Sequence, residues 1–293
     1  MTAPVVCVKY SEDQPRDDHG RWTEGGESSD ADAQGVKPES LVVSLAPKPL
    51  PTDLNARVPV KDFKAAAKRI EQRCGFPIRV GTIKMTYGHL AALEGMGVAL
   101  SNLKTRYPEL YASLRLHGVE VVVEAKSSYE GKDTRSFMFA RWGEFDSPAI
   151  VLNVNNQPNV TYTPGWSVSH DAGHRARSNG LSESDAIHAR ATVSTMHEVG
   201  HLLDKVSGYT YSQGWERDVI TNLGSGRGFP KDLVAKSISR YANTNSREGF
   251  AETFALVAVD RPWPRELGSI VTDIKFRLKS FSSTIKTNQG ATE

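Results

Sequence analysis

Thr195-Met-His-Glu-Val-Gly-His-Leu-Leu-Asp204 decides how the rest of this 293-residue chain is read, because it sets His197-Glu198-Val199-Gly200-His201 inside a helical pattern. Ser182 or Ser184 can cap that helix, acidic residues crowd its first turn and Gly208 supplies a stop, which predicts a helix over about 183–206. Two imidazoles four residues apart project from one helix face about one turn from each other, so their ring nitrogens can converge on a single metal ion. Glu198 lies one step round the helix, beside the ion without ligating it, where a carboxylate can take a proton from activated water.

A catalytic metal site needs a third protein ligand that leaves one position open. The extended pattern H-E-x-x-H-x-x-G-x-x-H fails, since Asp204 stands where its Gly belongs and Ser207 where its third His belongs. That excludes the metzincin arrangement. Further on, Tyr241-Ala-Asn-Thr-Asn-Ser-Arg-Glu248-Gly-Phe-Ala-Glu252 opens a second helix, expected over 246–259, with Asn245 or Ser246 as its cap and two carboxylates on one face. Read singly, Glu248 complements a helix dipole and Glu252 is a solvated surface acid. Beside a histidine pair, Glu248 becomes the candidate third ligand, and Glu252 the outer partner that accepts the free N–H of a ligating imidazole.

With these residues in view the chain resembles the gluzincin metallopeptidases, and most closely the catalytic domain of the anthrax lethal factor type. The resemblance rests on His197-Glu198-Val199-Gly200-His201, Tyr241 and Glu248-Gly-Phe-Ala-Glu252, and spans roughly residues 148–260. It implies an α+β, zincin-like domain in which His197, His201 and Glu248 hold one Zn2+ and Glu198 is the general base. In that family a tyrosine seven residues before the glutamate ligand donates to the reaction's oxyanion, and Tyr241 stands seven before Glu248. The implied activity is zinc-dependent hydrolysis of a protein or peptide substrate.

A second pair, His170-Asp-Ala-Gly-His174, has metal-like spacing but lacks the glutamate and any apolar periodicity, and reads as loop. His188 lies nine residues before His197, too far along the same helix to share an ion. Upstream, helical periodicity covers Val60 to Arg73 and about Tyr87 to Leu116, the latter broken by Gly95, Gly97 and the Pro108 region. Val119 to Glu124, Ser136 to Trp142 and Ala149 to Asn155 read as strands. Ala149 to Asn155 is the candidate edge strand bordering the cleft, with Asn153 and Asn155 as substrate-binding residues on a solvated rim; the competing reading is an internal strand. The glycine-rich, aromatic segment from Ser207 to Lys236 is a mobile lid or substrate wall, or else a simple connection, and a last helix is expected over 267–281.

Composition bounds the remainder. A net charge of +2 from 36 basic and 34 acidic residues leaves no footprint for nucleic acid. Two cysteines make no disulfide framework and suit a reducing compartment. Neither a signal peptide nor a membrane span is evident, so the expectation is a soluble protein, in the cytoplasm of a host cell or associated with a virion. Residues 1–54 are expected to be a disordered tail and linker ahead of a metallopeptidase domain at 55–293, because 11–40 hold scarcely an aliphatic side chain and Pro47, Pro49 and Pro51 favour an extended spacer. Within the tail, Gln14-Pro-Arg-Asp17 and Gly20-Arg-Trp22 resemble a Q-P-R-D-x-x-G-R-W segment of proteins from tailed bacteriophages and prophages. That resemblance implies a phage-encoded protein whose 13–23 segment docks on capsid or head proteins. It also keeps open two other functions: a virion or head-assembly protein with a structural or vestigial zinc site, and a metallopeptidase effector delivered into another cell.

Overall fold

The computed structural model describes residues 53–259, apart from 82, 127, 130–131, 134–135, 143–146, 157–162 and 225–227, together with 267–272 and 274. The tail, its docking segment and the proline spacer lie outside the described residues. The chain is α+β, mostly helical with a small mixed sheet.

Helix α1 (Val60–Cys74) leads into β1 (Ile78–Val80), α2 (Tyr87–Arg106) and α3 (Pro108–Leu116). The helical stretch over 87–116 is interrupted at Pro108, as expected, because that residue lacks an N–H and begins a new helix at its first turn. Gly95 and Gly97 do not break α2. They stay because neighbours need the room: a Cβ on Gly95 would lie 2.5 Å from the His188 carbonyl oxygen, and one on Gly97 2.5 Å from Ile70.

Next come β2 (Glu120–Glu124), a two-stranded hairpin of β3 (Ser128–Tyr129) and β4 (Lys132–Asp133), then β5 (Met138–Arg141) and β6 (Ala149–Asn153). The four-stranded sheet runs β1-β2-β6-β5, parallel except for β5, which pairs antiparallel with β6. The strand expected at the cleft edge is therefore internal. Every residue of β6 is buried, as an Ala-Ile-Val-Leu run with neighbours on both sides and cover on both faces should be. The edge is β5.

The chain continues through α4 (Val168–Ser178), α5 (Glu183–Val206), α6 (Thr210–Asn222), α7 (Lys231–Ser237), a 3-10 turn (Tyr241–Asn243) and α8 (Ser246–Ala258). The stretch around His170 and His174, expected as loop, is helix α4. Its buried face is built of Val168, Ser169, Ala172, Gly173 and Ala176, a stripe too small-sided to register as apolar periodicity, and Ser167 caps it by accepting from His170 N at 3.2 Å. The 207–236 segment is largely helical, with Tyr211 and Trp215 of α6 buried. Of the helix expected over 267–281, the described part is 267–272 and 274, where Leu267, Ile270, Val271 and Ile274 are buried.

Helix α5 is the axis of the fold, packed by α2, α4, α8 and β5. It starts where expected. Ser182 Oγ accepts from Asp185 N while Asp185 Oδ2 accepts from Ser182 N, both at 3.2 Å, a reciprocal capping box. Helix α8 is secured as firmly, by Asn245 Oδ1 accepting from Arg247 N and Glu248 N at 3.0 Å each. Helix α6 closes over α8, where Gly249 admits the Trp215 ring and Trp215 Nε1 donates to Thr253 Oγ1 at 3.0 Å.

Candidate metal centre

Helix geometry puts His197 and His201 on the same face of α5, and Gly200 between them lets α8 approach that face closely. The approach brings Glu248, in the first turn of α8, to both imidazoles. Glu248 Oε2 lies 3.1 Å from His197 Nε2 and 3.1 Å from His201 Nε2, and the two Nε2 atoms are 3.0 Å apart. Three donors held about 2.0–2.1 Å from a tetrahedral zinc stand roughly 3.3 Å from one another. The observed triangle is a close fit to one face of that tetrahedron, and its two-nitrogen, one-oxygen donor set suits a borderline-soft divalent ion. Among the described residues, His197, His201 and Glu248 form a group that could hold a metal ion.

Glu252, one turn beyond Glu248, is buried beneath the cluster. Its Oε2 accepts from Ser239 Oγ and from Val168 N, each at 2.7 Å, and its Oε1 lies 2.9 Å from His197 Nδ1. That last contact sets the carboxylate beside Nδ1 but off the axis of a ring N–H. Glu252 thus ties α8, the start of α4 and the segment before Tyr241 to His197.

Glu198 points to the other side. Phe137 O accepts from Asn153 N at 2.8 Å, so in the alternation of an antiparallel ladder Met138 and Ala140 turn their N–H and C=O groups to the free edge of β5. Ala140 N meets Glu198 Oε2 there at 2.7 Å. The edge strand and the candidate base are locked together through the backbone.

Electrostatics follow from this crowding. Burial raises the Glu198 carboxyl above the ordinary range, against the pull of the two histidines. Burial pushes in the same direction on Glu248, but hydrogen bonds from His197 and His201 outweigh it and hold that carboxylate well below the usual range. Burial likewise opposes a charge on His197, yet Glu248 and Glu252 draw its pKa upward. Tyr241 has its ring 5.7 Å from that of His197; burial and the carboxylates of Glu248, Glu198 and Glu252 raise its phenol, so it stays protonated.

The sequence-derived candidates His197, Glu198, His201, Tyr241, Glu248 and Glu252 are therefore gathered in one place. Asn153 is not with them as a rim residue. Its side chain is fully buried and binds backbone instead, accepting from Lys126 N at 3.0 Å and donating to Lys126 O at 3.0 Å, and it belongs to the internal strand. Asn155 is exposed in the turn after β6, its N–H donating to Asn153 Oδ1 at 3.2 Å. His174 is exposed on α4, and His170 is engaged elsewhere, its Nδ1 accepting from Thr163 N at 3.1 Å. Sequence reasoning passed over Ser239, Ala140 and Trp166. Ser239 stands two residues before Tyr241, but nothing local shows that it faces a carboxylate. Ala140 acts through its backbone N–H, which no side-chain pattern reveals.

No family model, no curated protein and no solved structure matches this chain. Described residues contain no helix long and apolar enough to cross a membrane.

Proposed function

We propose that the chain is a zinc-dependent endopeptidase with a zincin-like catalytic domain. The observation that carries the reading is the near-tetrahedral triangle of His197, His201 and Glu248, with Glu198 beside it and bonded to the edge strand. A helix bearing the histidine pair beneath a sheet whose antiparallel edge strand faces the site supports the fold assignment.

Bound zinc would act as a Lewis acid on the peptide carbonyl and lower the pKa of the attacking water. Everything else falls to the chain. Glu198, with Oε2 held by Ala140, takes the proton of that water on its other oxygen, and its raised pKa keeps the proton ready for the leaving amine. Tyr241, kept protonated by its surroundings, donates to the carbonyl oxygen as charge develops on it. Glu252 favours the Nδ1–H tautomer of His197, leaving the Nε2 lone pair for the ion. An extended peptide can lie beside β5, the edge strand that borders Glu198.

The test is direct. Zinc-loaded protein is incubated with a peptide pool, with and without chelator, and new termini are mapped by mass spectrometry. Cleavage should require zinc, and Glu198→Gln should keep its zinc and fold while losing cleavage; a Glu198→Gln variant that still cleaves sinks the mechanism.

A further inference from the structure

Trp166 is 46% exposed, an uncommon setting for the largest apolar side chain, and it stands beside the metal centre. Its ring centroid lies 6.1 Å from that of Tyr241, which in turn lies 5.7 Å from that of His197. Three rings therefore step from solvent to His197, so Trp166 is at most two ring spacings from that imidazole.

The segment that presents Trp166 is rigidly held. Trp166 O accepts from Tyr241 N at 2.8 Å, and Gly165 O accepts from Arg240 N at 3.0 Å. Gly165 N donates to Asp171 Oδ1 at 2.8 Å, and the left-handed φ of 71° at Gly165 is a conformation that glycine adopts without strain. Two residues on, Val168 N is bound by Glu252, the same carboxylate that pairs with His197. The backbone that carries the indole is thus held in register with the metal site, and a ligand that covers the ring needs little further ordering of the chain.

We infer that Trp166 is a specificity-determining residue, forming the wall of a subsite that takes a bulky apolar or aromatic side chain of the substrate residue flanking the scissile bond. The inference rests on the peptidase reading. A flat, preorganised indole gains most from stacking on aromatic or aliphatic groups, and little from small or acidic ones.

Two measurements test it. In the first, zinc-loaded wild type, Trp166→Ala and Trp166→Phe cleave a peptide series in which the flanking residues are Phe, Leu, Ala, Asp or Lys. For Phe and Leu peptides Trp166→Ala should lose about tenfold or more in kcat/KM, carried by KM, with a much smaller loss for Ala peptides and recovery in Trp166→Phe. An equal loss for every peptide, no loss at all, or a wild-type preference for Lys overturns the assignment. In the second, calorimetry measures binding of the same peptides to zinc-loaded Glu198→Gln with and without Trp166→Ala. Phe peptides should bind more tightly than Ala peptides only when Trp166 is present, and equal binding overturns the subsite. Wild type that binds Phe peptides through Trp166 but cleaves none would sink the peptidase reading while leaving the subsite standing.

Discussion

Gly200 of α5 and Ala251 of α8 cross with no room between them: a Cβ on Gly200 would sit 3.0 Å from Ala251 Cα and 3.3 Å from the Phe254 ring. This contact sets how near Glu248 comes to the two histidines. Gly200→Val should therefore force α8 outward, destabilising the fold by about 1–3 kcal/mol and weakening zinc binding beyond what that loss explains. Chemical denaturation of the stripped protein and zinc titration against a competing chelator separate the two effects. Zinc affinity equal to wild type would mean that the crossing does not control the site.

Glu252 has three partners for its two carboxylate oxygens: His197, Ser239 and Val168. Glu252→Ala should lower zinc affinity by about 10–100-fold, because it frees the His197 ring to turn. It should also destabilise the stripped protein, since Val168 N and Ser239 Oγ lose a buried acceptor. In wild type, zinc at a hundredfold excess over its Kd should add about 2.7 kcal/mol of stability, an increment that His201→Ala should forfeit. Melting curves with and without zinc read all three.

What could be seen in advance depended on how local its cause is. The starts of α5 and α8 were legible because Ser182 and Asn245 cap them through neighbours two or three residues away. The site cluster was legible because helix periodicity alone puts His197 with His201 and Glu248 with Glu252. Helix α4 was hidden because its buried stripe is mostly Ser, Ala and Gly, which pack against α5 without an aliphatic rhythm. The order of the sheet was hidden for a different reason. Whether Ala149–Asn153 or Met138–Arg141 forms the edge is settled by β2, more than twenty residues distant from β6, pairing in parallel with it. Trp166 reaches the site through the backbone of Tyr241, a contact that no spacing announces.

Tyr241 is the donor proposed to face the developing oxyanion, and its phenol is held protonated beside three carboxylates. Tyr241→Phe removes the hydroxyl but keeps the ring against His197 and Trp166. It should therefore reduce kcat by about 10²–10³-fold with zinc affinity unchanged and KM little altered. Steady-state kinetics on one cleaved peptide decides the point, and an unchanged kcat would remove Tyr241 from the chemistry.

His170 supplies a pH dependence that is separate from the metal. Burial, and then the Arg190 guanidinium 3.2 Å from its Nε2, lower its pKa to about 4, with Glu252 pulling weakly the other way. The unfolded chain titrates this residue near its ordinary value of about 6.5. Between those two values the unfolded state binds a proton that the folded state refuses, so stability falls as pH drops from about 6.5 towards 4 and is not regained below. His170→Gln, which still offers Thr163 N an acceptor, should flatten that part of the profile. Urea denaturation of zinc-stripped protein across the same window compares the two slopes, and the contributions of His197, Glu198 and Glu248 are common to both proteins. Identical slopes for wild type and His170→Gln would show that His170 takes up its proton in the folded state.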